Sequence, residues 1–441
     1  MDKHQALDLC NIVLQASRAD QTEVVLAADT SALTRFANNA IHQNVAEESV
    51  SATVRAVVGQ RLGVASSSGV SPEGLRGLAE AAYQLALVSA ADEDFVSLPA
   101  PVPCEGETDF ADAATADCSP EARAATVAEA IALAAAEGFT ASGMFATGAS
   151  DSAVANSLGV AAWQRRSMAE MSLVVTGAGG SGYARTCSPR VGSISGAALG
   201  RVATEKCRAS RDPQSLPPGE YTVILEAEAV ADMVMMLGMY GLGALALQEG
   251  RSFMGGRIGE QICGGNVSIW DDGLDPRGHR QACDFEGLPK QRVNLITNGV
   301  AEDVVWDSYT AHKEGRQSTG HGLPAPNSWG PVPINLFVGA GDSSVGDMIA
   351  RTERGVLVTR FHYTNMVHPI KTVLTGMTRD GTFLIENGQI AGAVKNLRFT
   401  QSILEALSCV SLISKEGKLT DYVWAPAMRV DRFTFSSATE F

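Results

Sequence analysis

Residues Phe361 to Ser402 read FHYTNMVHPIKTVLTGMTRDGTFLIENGQIAGAVKNLRFTQS. Thr372-Val373-Leu374-Thr375 has strand composition and meets a break at Gly376. Arg379-Asp380-Gly381 predicts a tight turn, because Asp-Gly accepts the positive φ such turns need. Thr382-Phe383-Leu384-Ile385 alternates out of it, and Glu386-Asn387-Gly388-Gln389 predicts a second hairpin turn with Asn-Gly at its centre. Ile390, Ala393 and Val394 lead into Leu397-Arg398-Phe399. Two such signals this close together fix strand register, so the second half of the chain is expected to be an antiparallel, β-rich unit.

Working outward, 441 residues suffice for two or three full cores. Hydrophobic residues make up 45%, charged ones 19%, and there are 44 glycines. This is the profile of a folded protein rich in strands and turns. The net charge of −15 argues against a nucleic-acid groove, which needs a basic face. Eight cysteines (Cys10, Cys104, Cys118, Cys187, Cys207, Cys263, Cys283, Cys409) form no CxxC and no framework, so reduced, buried thiols are expected. The first twenty residues carry charge at both ends of a short apolar segment and predict an amphipathic helix with Leu7, Ile12, Val13 and Leu14 inward. A cytoplasmic location follows as an expectation. The uncharged run Met233 to Leu247 is shorter than the ~20 residues a membrane span needs, so no membrane partner is expected.

In chain order, strands are predicted over residues 22–28, 33–37, 41–46, 49–58 and 61–67, then a helix opened by Ser71-Pro72-Glu73. Residues 91–118 read as a linker. Ser119-Pro120-Glu121 opens an Ala-rich helix to Glu137. Strands follow over 140–149, 153–156, 159–165 and 168–176, and then a helix from about Ile194 to Ser210. Helix, strands, helix thus occurs twice, which raises an internal duplication. Three prolines between Asp212 and Glu220 mark a boundary, dividing the chain into an N-terminal α+β domain (1–211) and a C-terminal β-rich domain (218–441) of antiparallel sheets. Ala227 to Leu247 predicts one buried helix. The Gly-rich GAGGSG (Gly177 to Gly182) lacks the Lys-Ser/Thr of a phosphate loop and predicts a hairpin tip.

The run TGMTRDGTFLIENGQIAGAVKNLRFTQS resembles the C-terminal signature of the TldD/PmbA family, the so-called modulators of DNA gyrase. The likeness continues at GGRIGEQI (Gly255 to Ile262), STGHG (Ser318 to Gly322) and APAMRVDRFTFSS (Ala425 to Ser437). It implies an α+β protein with curved C-terminal sheets, pairing around a cavity and holding peptide as an added strand. In the family's peptidase branch an HExxxH motif supplies two zinc-binding histidines and a glutamate that activates water. Counting back without a gap, the corresponding positions here are Met235, Met236 and Tyr240. A thioether is a poor zinc ligand and cannot act as a base. Cys409 lies near the family's cysteine ligand but does not align with it. The chain therefore resembles the PmbA/TldE branch, which lacks the motif. No catalytic residue, metal ligand or cofactor is assigned in this subunit. Zinc is expected in a TldD-like partner, with a homodimer as the other arrangement and unfolded or precursor peptide as substrate.

Substrate contact is assigned to His321, Asn365, His368 and Arg379. For the histidines, solvated or hydrogen-bonded roles are the plainer reading, and for Arg379 it is turn chemistry. His321 stands out because it lies in a Gly/Pro/Ser-rich loop, and loops carry function. The Met cluster (Met233, Met235, Met236, Met239) reads first as core filling. Two other functions stay open: a self-sufficient metallopeptidase using His279, His321 and His368, and a homodimeric peptide-binding protein without proteolysis.

Overall fold

A computed structural model describes residues 1–104, 106–177 and 179–439. Among the described residues the strands form two sheets. The first half contains α1 (Lys3–Ala16), β1 (Gln21–Ala37), β2 (Ala40–Val58), β3 (Arg61–Ser67), α2 (Pro72–Val88), β4 (Asp109–Phe110), α3 (Ala113–Ala116), α4 (Pro120–Ala136), β5 (Thr140–Asn156), β6 (Ala161–Gly177), β7 (Gly180–Ser188) and α5 (Gly196–Ala209). Ser71 and Ser119 cap α2 and α4 by accepting from the backbone N–H groups of Gly74 and Ala122, each with proline in the first turn.

The short strands expected here merge. β1, β2, β5 and β6 are continuous ribbons of 17 to 19 residues, because polar residues at their centres face outward without breaking the backbone ladder. Strand β7 goes unpredicted; it pairs with β6 from Ala169↔Ser188 to Gly177↔Gly180, making GAGGSG a hairpin end, although Ala178 lies outside the described residues. The helices cover one sheet face. Leu75, Ala79 and Ala82 of α2 pack with Val24, Leu26 and Val54, and Val127, Ala130 and Ala134 of α4 pack with Phe36, Phe145 and Met171. In α1 the fully buried positions are Ala6, Cys10 and Val13, while Leu7, Ile12 and Leu14 are only partly covered. Small residues go inward where α1 lies close to α2 and the sheet. The opposite face, alternating with the first, is polar and turns toward the second half.

The second half contains β8 (Gly219–Leu225), α6 (Ala227–Gly241), α7 (Ala244–Gln248), β9 (Ile269–Asp271), β10 (Val293–Thr297), β11 (Val300–Ala301), α8 (Ser308–Lys313), β12 (Leu336–Val338), α9 (Val345–Ala350), β13 (Arg354–His368), β14 (Val373–Glu386), β15 (Gln389–Ala393), β16 (Leu397–Ser402), α10 (Ile403–Ser408), β17 (Val410–Thr420) and β18 (Val423–Ala438). The pairings β18–β16–β14–β13–β8–β18 close on themselves, so this sheet curves fully round. Phe361, Phe399, Phe433 and Phe435 pack ring against ring there, each tilted or edge-on to the next. The sheet is mainly antiparallel, with parallel joins at β8–β13 and β12–β18.

Asn387 (φ 51°) and Gly388 (φ 75°) make the expected turn from β14 to β15. Arg379-Asp380-Gly381 does not turn. The strand runs straight through it, and Asp380 (φ 54°) and Gly381 (φ 130°) form a bulge facing Thr359. Gly376 likewise sits within β14, where an added Cβ would lie 2.8 Å from the Phe399 ring. The single helix expected over 227–247 divides at Gly241–Gly243, where Leu242 leaves the helix and Gly243 bridges to Val305. A Cβ on Gly243 would meet the Pro331 carbonyl at 2.1 Å, so tertiary contact imposes the break.

Candidate functional site

Strand β8 delivers the chain into α6, a helix whose inward residues are apolar. Val230, Met233, Val234 and Leu237 are core. The residues left partly or wholly open are Asp232, Met235, Met236, Met239 and Tyr240, spaced i, i+3, i+4, i+7, i+8 and therefore one stripe. The three positions that the resemblance assigns to HExxxH all fall on this stripe. Met239 is 39% exposed, and Tyr240 meets the edge of Trp329 with ring centres 6.0 Å apart. Thus the methionines divide: Met233 fills core, Met235 and Met236 are half-buried and pack against it, and Met239 is exposed.

Asp232 is the carboxyl group on that face. Burial raises its pKa to about 7, the Thr364 hydroxyl (3.3 Å) opposes this, and Glu228 one turn earlier adds to the rise. Sequence reasoning passed over it. The available signal was a lone aspartate in an otherwise apolar helical run. Glu228 itself is buried and paired with Lys418 at 2.7 Å.

The four assigned contact residues do not meet. His321 is in the interior rather than on a free loop. Its Nε2 donates to Asp271 Oδ1 at 2.8 Å and its Nδ1 faces Thr319 Oγ1 at 2.9 Å. Lys290 Nζ reaches the same Asp271 oxygen at 3.3 Å, and the Asn335 N–H donates to Oδ2 at 2.7 Å. Burial works to raise the Asp271 pKa, yet Lys290 and His321 hold it well below the ordinary carboxylate range. Burial, then Lys290, lowers His321, which stays neutral. Gly320 (φ 74°) packs where a Cβ would lie 2.2 Å from the Pro289 carbonyl. STGHG is thus a packing motif around a buried ion pair.

Asn365 is exposed on β13 and donates its side-chain N–H to the Tyr363 carbonyl at 2.9 Å. His368 is exposed at the strand's end, where its Nδ1 accepts from the Lys371 N–H at 3.4 Å. Both sit on an arm whose Tyr363, Val367 and Ile370 are also exposed. Arg379 is half-buried opposite Arg360. Its neighbour Asp380 does the structural work, accepting from Arg360 and, at 2.8 Å, from Ser181 of the first sheet.

His279, His321 and His368 likewise stay apart. His279 Nε2 lies 3.4 Å from Cys187 Sγ. Burial lowers this histidine to about 4 and raises the thiol to about 12, the reverse of an activated thiolate–imidazolium pair.

A model of the PmbA/TldA metallopeptidase C-terminal domain matches residues 218–437, and one of PmbA/TldA metallopeptidase domain 1 matches 22–86. The chain belongs to the TldD/PmbA family. Its fold matches the crystal structure of TldE from Thermococcus kodakarensis with a TM-score of 0.88, covering 97% of this chain and 99% of that one at 22% identity. A metalloprotease TldD homolog of Haemophilus influenzae is 25% identical over 260 residues, 55% of this chain and 54% of that protein. An uncharacterized protein of Methanocaldococcus jannaschii is 35% identical over 127 residues, 28% of this chain and 30% of that one. The alignments thus span about half or less of these relatives' lengths.

A TldD/PmbA metallopeptidase site would need imidazole, thiolate or carboxylate ligands around zinc. The open face of α6 offers thioethers, a phenol and one carboxyl. Among the described residues no group of three or more His, Cys, Asp or Glu is placed to hold a metal ion. The residues do not fit zinc. No helix among the described residues is long and apolar enough to cross a membrane.

Proposed function

We propose that this chain is a non-catalytic, TldE-like subunit of a TldD/TldE-type metallopeptidase, binding unfolded or precursor peptide while a metal-bearing TldD-like partner cleaves it. One observation carries the reading. The open stripe of α6, at the positions the family resemblance gives to the peptidase motif, presents Met235, Met236 and Tyr240. In such an assembly the stripe and the β13–β14 arm, with Asn365, His368 and Arg379 along it, would form chamber wall. The outer edge of β2 from Ala40 to Ser51 carries no further strand among the described residues, which suits capture of peptide by strand addition. We place the complex in the cytoplasm and take zinc to reside in the partner.

The test is metal content and cleavage of an unfolded substrate, measured on the purified chain alone and then with a TldD-like partner. The reading expects no bound zinc and no cleavage alone, with chelator-sensitive cleavage on mixing. Stoichiometric zinc and cleavage by the chain alone would overturn it.

A further inference from the structure

The polar face of the first sheet carries a feature the peptidase reading does not use. Strand register aligns Asp29, Ser150 and Arg166 in one row across β1, β5 and β6, with side chains on one face. Two adjoining cavities, of about 220 and 170 Å3, share these three residues as lining. His279 and Tyr422 of the second half close the larger one, whose walls include Ala146, Ala149 and Met168. Gln281 and Phe285 line the smaller.

Two polar groups in this slot lack the partners expected of them. Arg166 is paired through its backbone on both sides, but its guanidinium makes no hydrogen bond or ion pair among the described residues. Gln281 is only 2% exposed, yet its Oε1 has no hydrogen-bond partner, an arrangement that costs stability unless a ligand or water completes it. Asp29, at the open end, accepts from the Ser150 hydroxyl and keeps acceptor capacity to spare. A cation and an anion therefore face one small space, two strands apart, or roughly 10 Å between backbones. Apolar surface lies alongside.

We propose that this slot binds a small zwitterion with free α-ammonium and free carboxylate groups and an apolar side chain. The carboxylate pairs with Arg166, whose planar guanidinium suits two-point recognition. The ammonium is held by Asp29, and the side chain lies against Met168 and Tyr422. A free amino acid and a dipeptide share this chemistry. The inference stands on the cavity alone and survives if the chain proves to be no part of a peptidase.

Titration calorimetry on the full chain tests it, with L-leucine, alanyl-leucine, N-acetyl-leucine and leucinamide as probes. Saturable binding is expected for L-leucine or alanyl-leucine, the tighter of the two naming the source, with each capped probe about tenfold weaker or more. Arg166→Met is expected to weaken binding about tenfold with an unchanged melting temperature, since the side chain has no internal partner to lose. Asp29→Asn, at the wet end, is expected to weaken it about threefold. Absence of saturable heat with all four probes would overturn the proposal. So would equal affinity for capped and uncapped probes, or wild-type binding by Arg166→Met.

Discussion

Asp271 shows how one buried charge sets the character of its surroundings. Both its oxygens are used, by His321 and Lys290 on one side and the Asn335 N–H on the other. Because the interior screens so little, the ammonium of Lys290 depends on this carboxylate. Asp271→Ala strands a buried cation, and we expect it to destabilise the fold by about 3–5 kcal/mol, read as a shift in the urea midpoint. His321→Ala leaves the Asp271–Lys290 pair intact and should cost less than that. Equal losses from the two variants would mean that the imidazole, not the ion pair, holds this region together. Gly388→Ala is a smaller case. The residue sits at φ 75° with the Ala350 carbonyl 2.7 Å from any added Cβ, so about 1–3 kcal/mol is expected.

At the scale of elements, composition anticipates the pieces better than their ends. Ser-Pro-Glu opens α2 and α4 where expected, because an N-cap acceptor and a proline at the first helical position act locally. Each cap is expected to contribute about 1 kcal/mol, measurable with Ser71→Ala and Ser119→Ala by thermal melting. The second sheet is less local. Asp380-Gly381 has the composition of a hairpin turn yet forms a bulge, since β13 and the Arg360 side chain hold the strand straight across it. Helix α6 has its own test. Met239→Lys replaces an exposed residue, so stability should change by less than about 0.5 kcal/mol. If the stripe is chamber wall, the same variant should lose co-elution with a TldD-like partner in size-exclusion chromatography. Retained co-elution would remove this face from the interface.

Across the whole molecule, the two halves meet through buried ionisable groups rather than apolar surface alone. Arg55 of β2 pairs with Glu23 at 2.8 Å and approaches Glu286 of the second half at 3.8 Å. Burial first, then the neighbouring Asp284, pushes Glu286 up to about 8 from an ordinary 4.5, so Glu286 keeps its proton at neutral pH. An acid with a raised folded-state pKa binds more protons folded than unfolded. Stability should therefore fall as pH rises from about 4.5 to about 8. Asp271 works in the opposite sense, since its lowered pKa removes stability as pH drops below the ordinary aspartate value of about 3.9. Unfolding midpoints measured across this range should decline toward alkaline pH in the native chain and decline less steeply in Glu286→Gln, with Asp232, raised to about 7, sustaining part of the trend. A decline unchanged by that substitution would assign it to other groups.

The helix starts, the Asn-Gly turn, the apolar run of α6 and the α+β class were all legible because each rests on local backbone preference or on side-chain periodicity. The absence of histidine and glutamate at positions 235, 236 and 240 was legible too, by resemblance to the TldD/PmbA family. Tertiary structure alone decided the rest. It merged short strands into ribbons, since pairing on both sides outweighs weak propensity at their centres. It buried His321, because no periodicity signals that a loop will fold inward onto Asp271 and Lys290. It also set Asp29, Ser150, Arg166 and Gln281 around one space, a juxtaposition of residues up to 252 positions apart that only strand register and the docking of the two halves create.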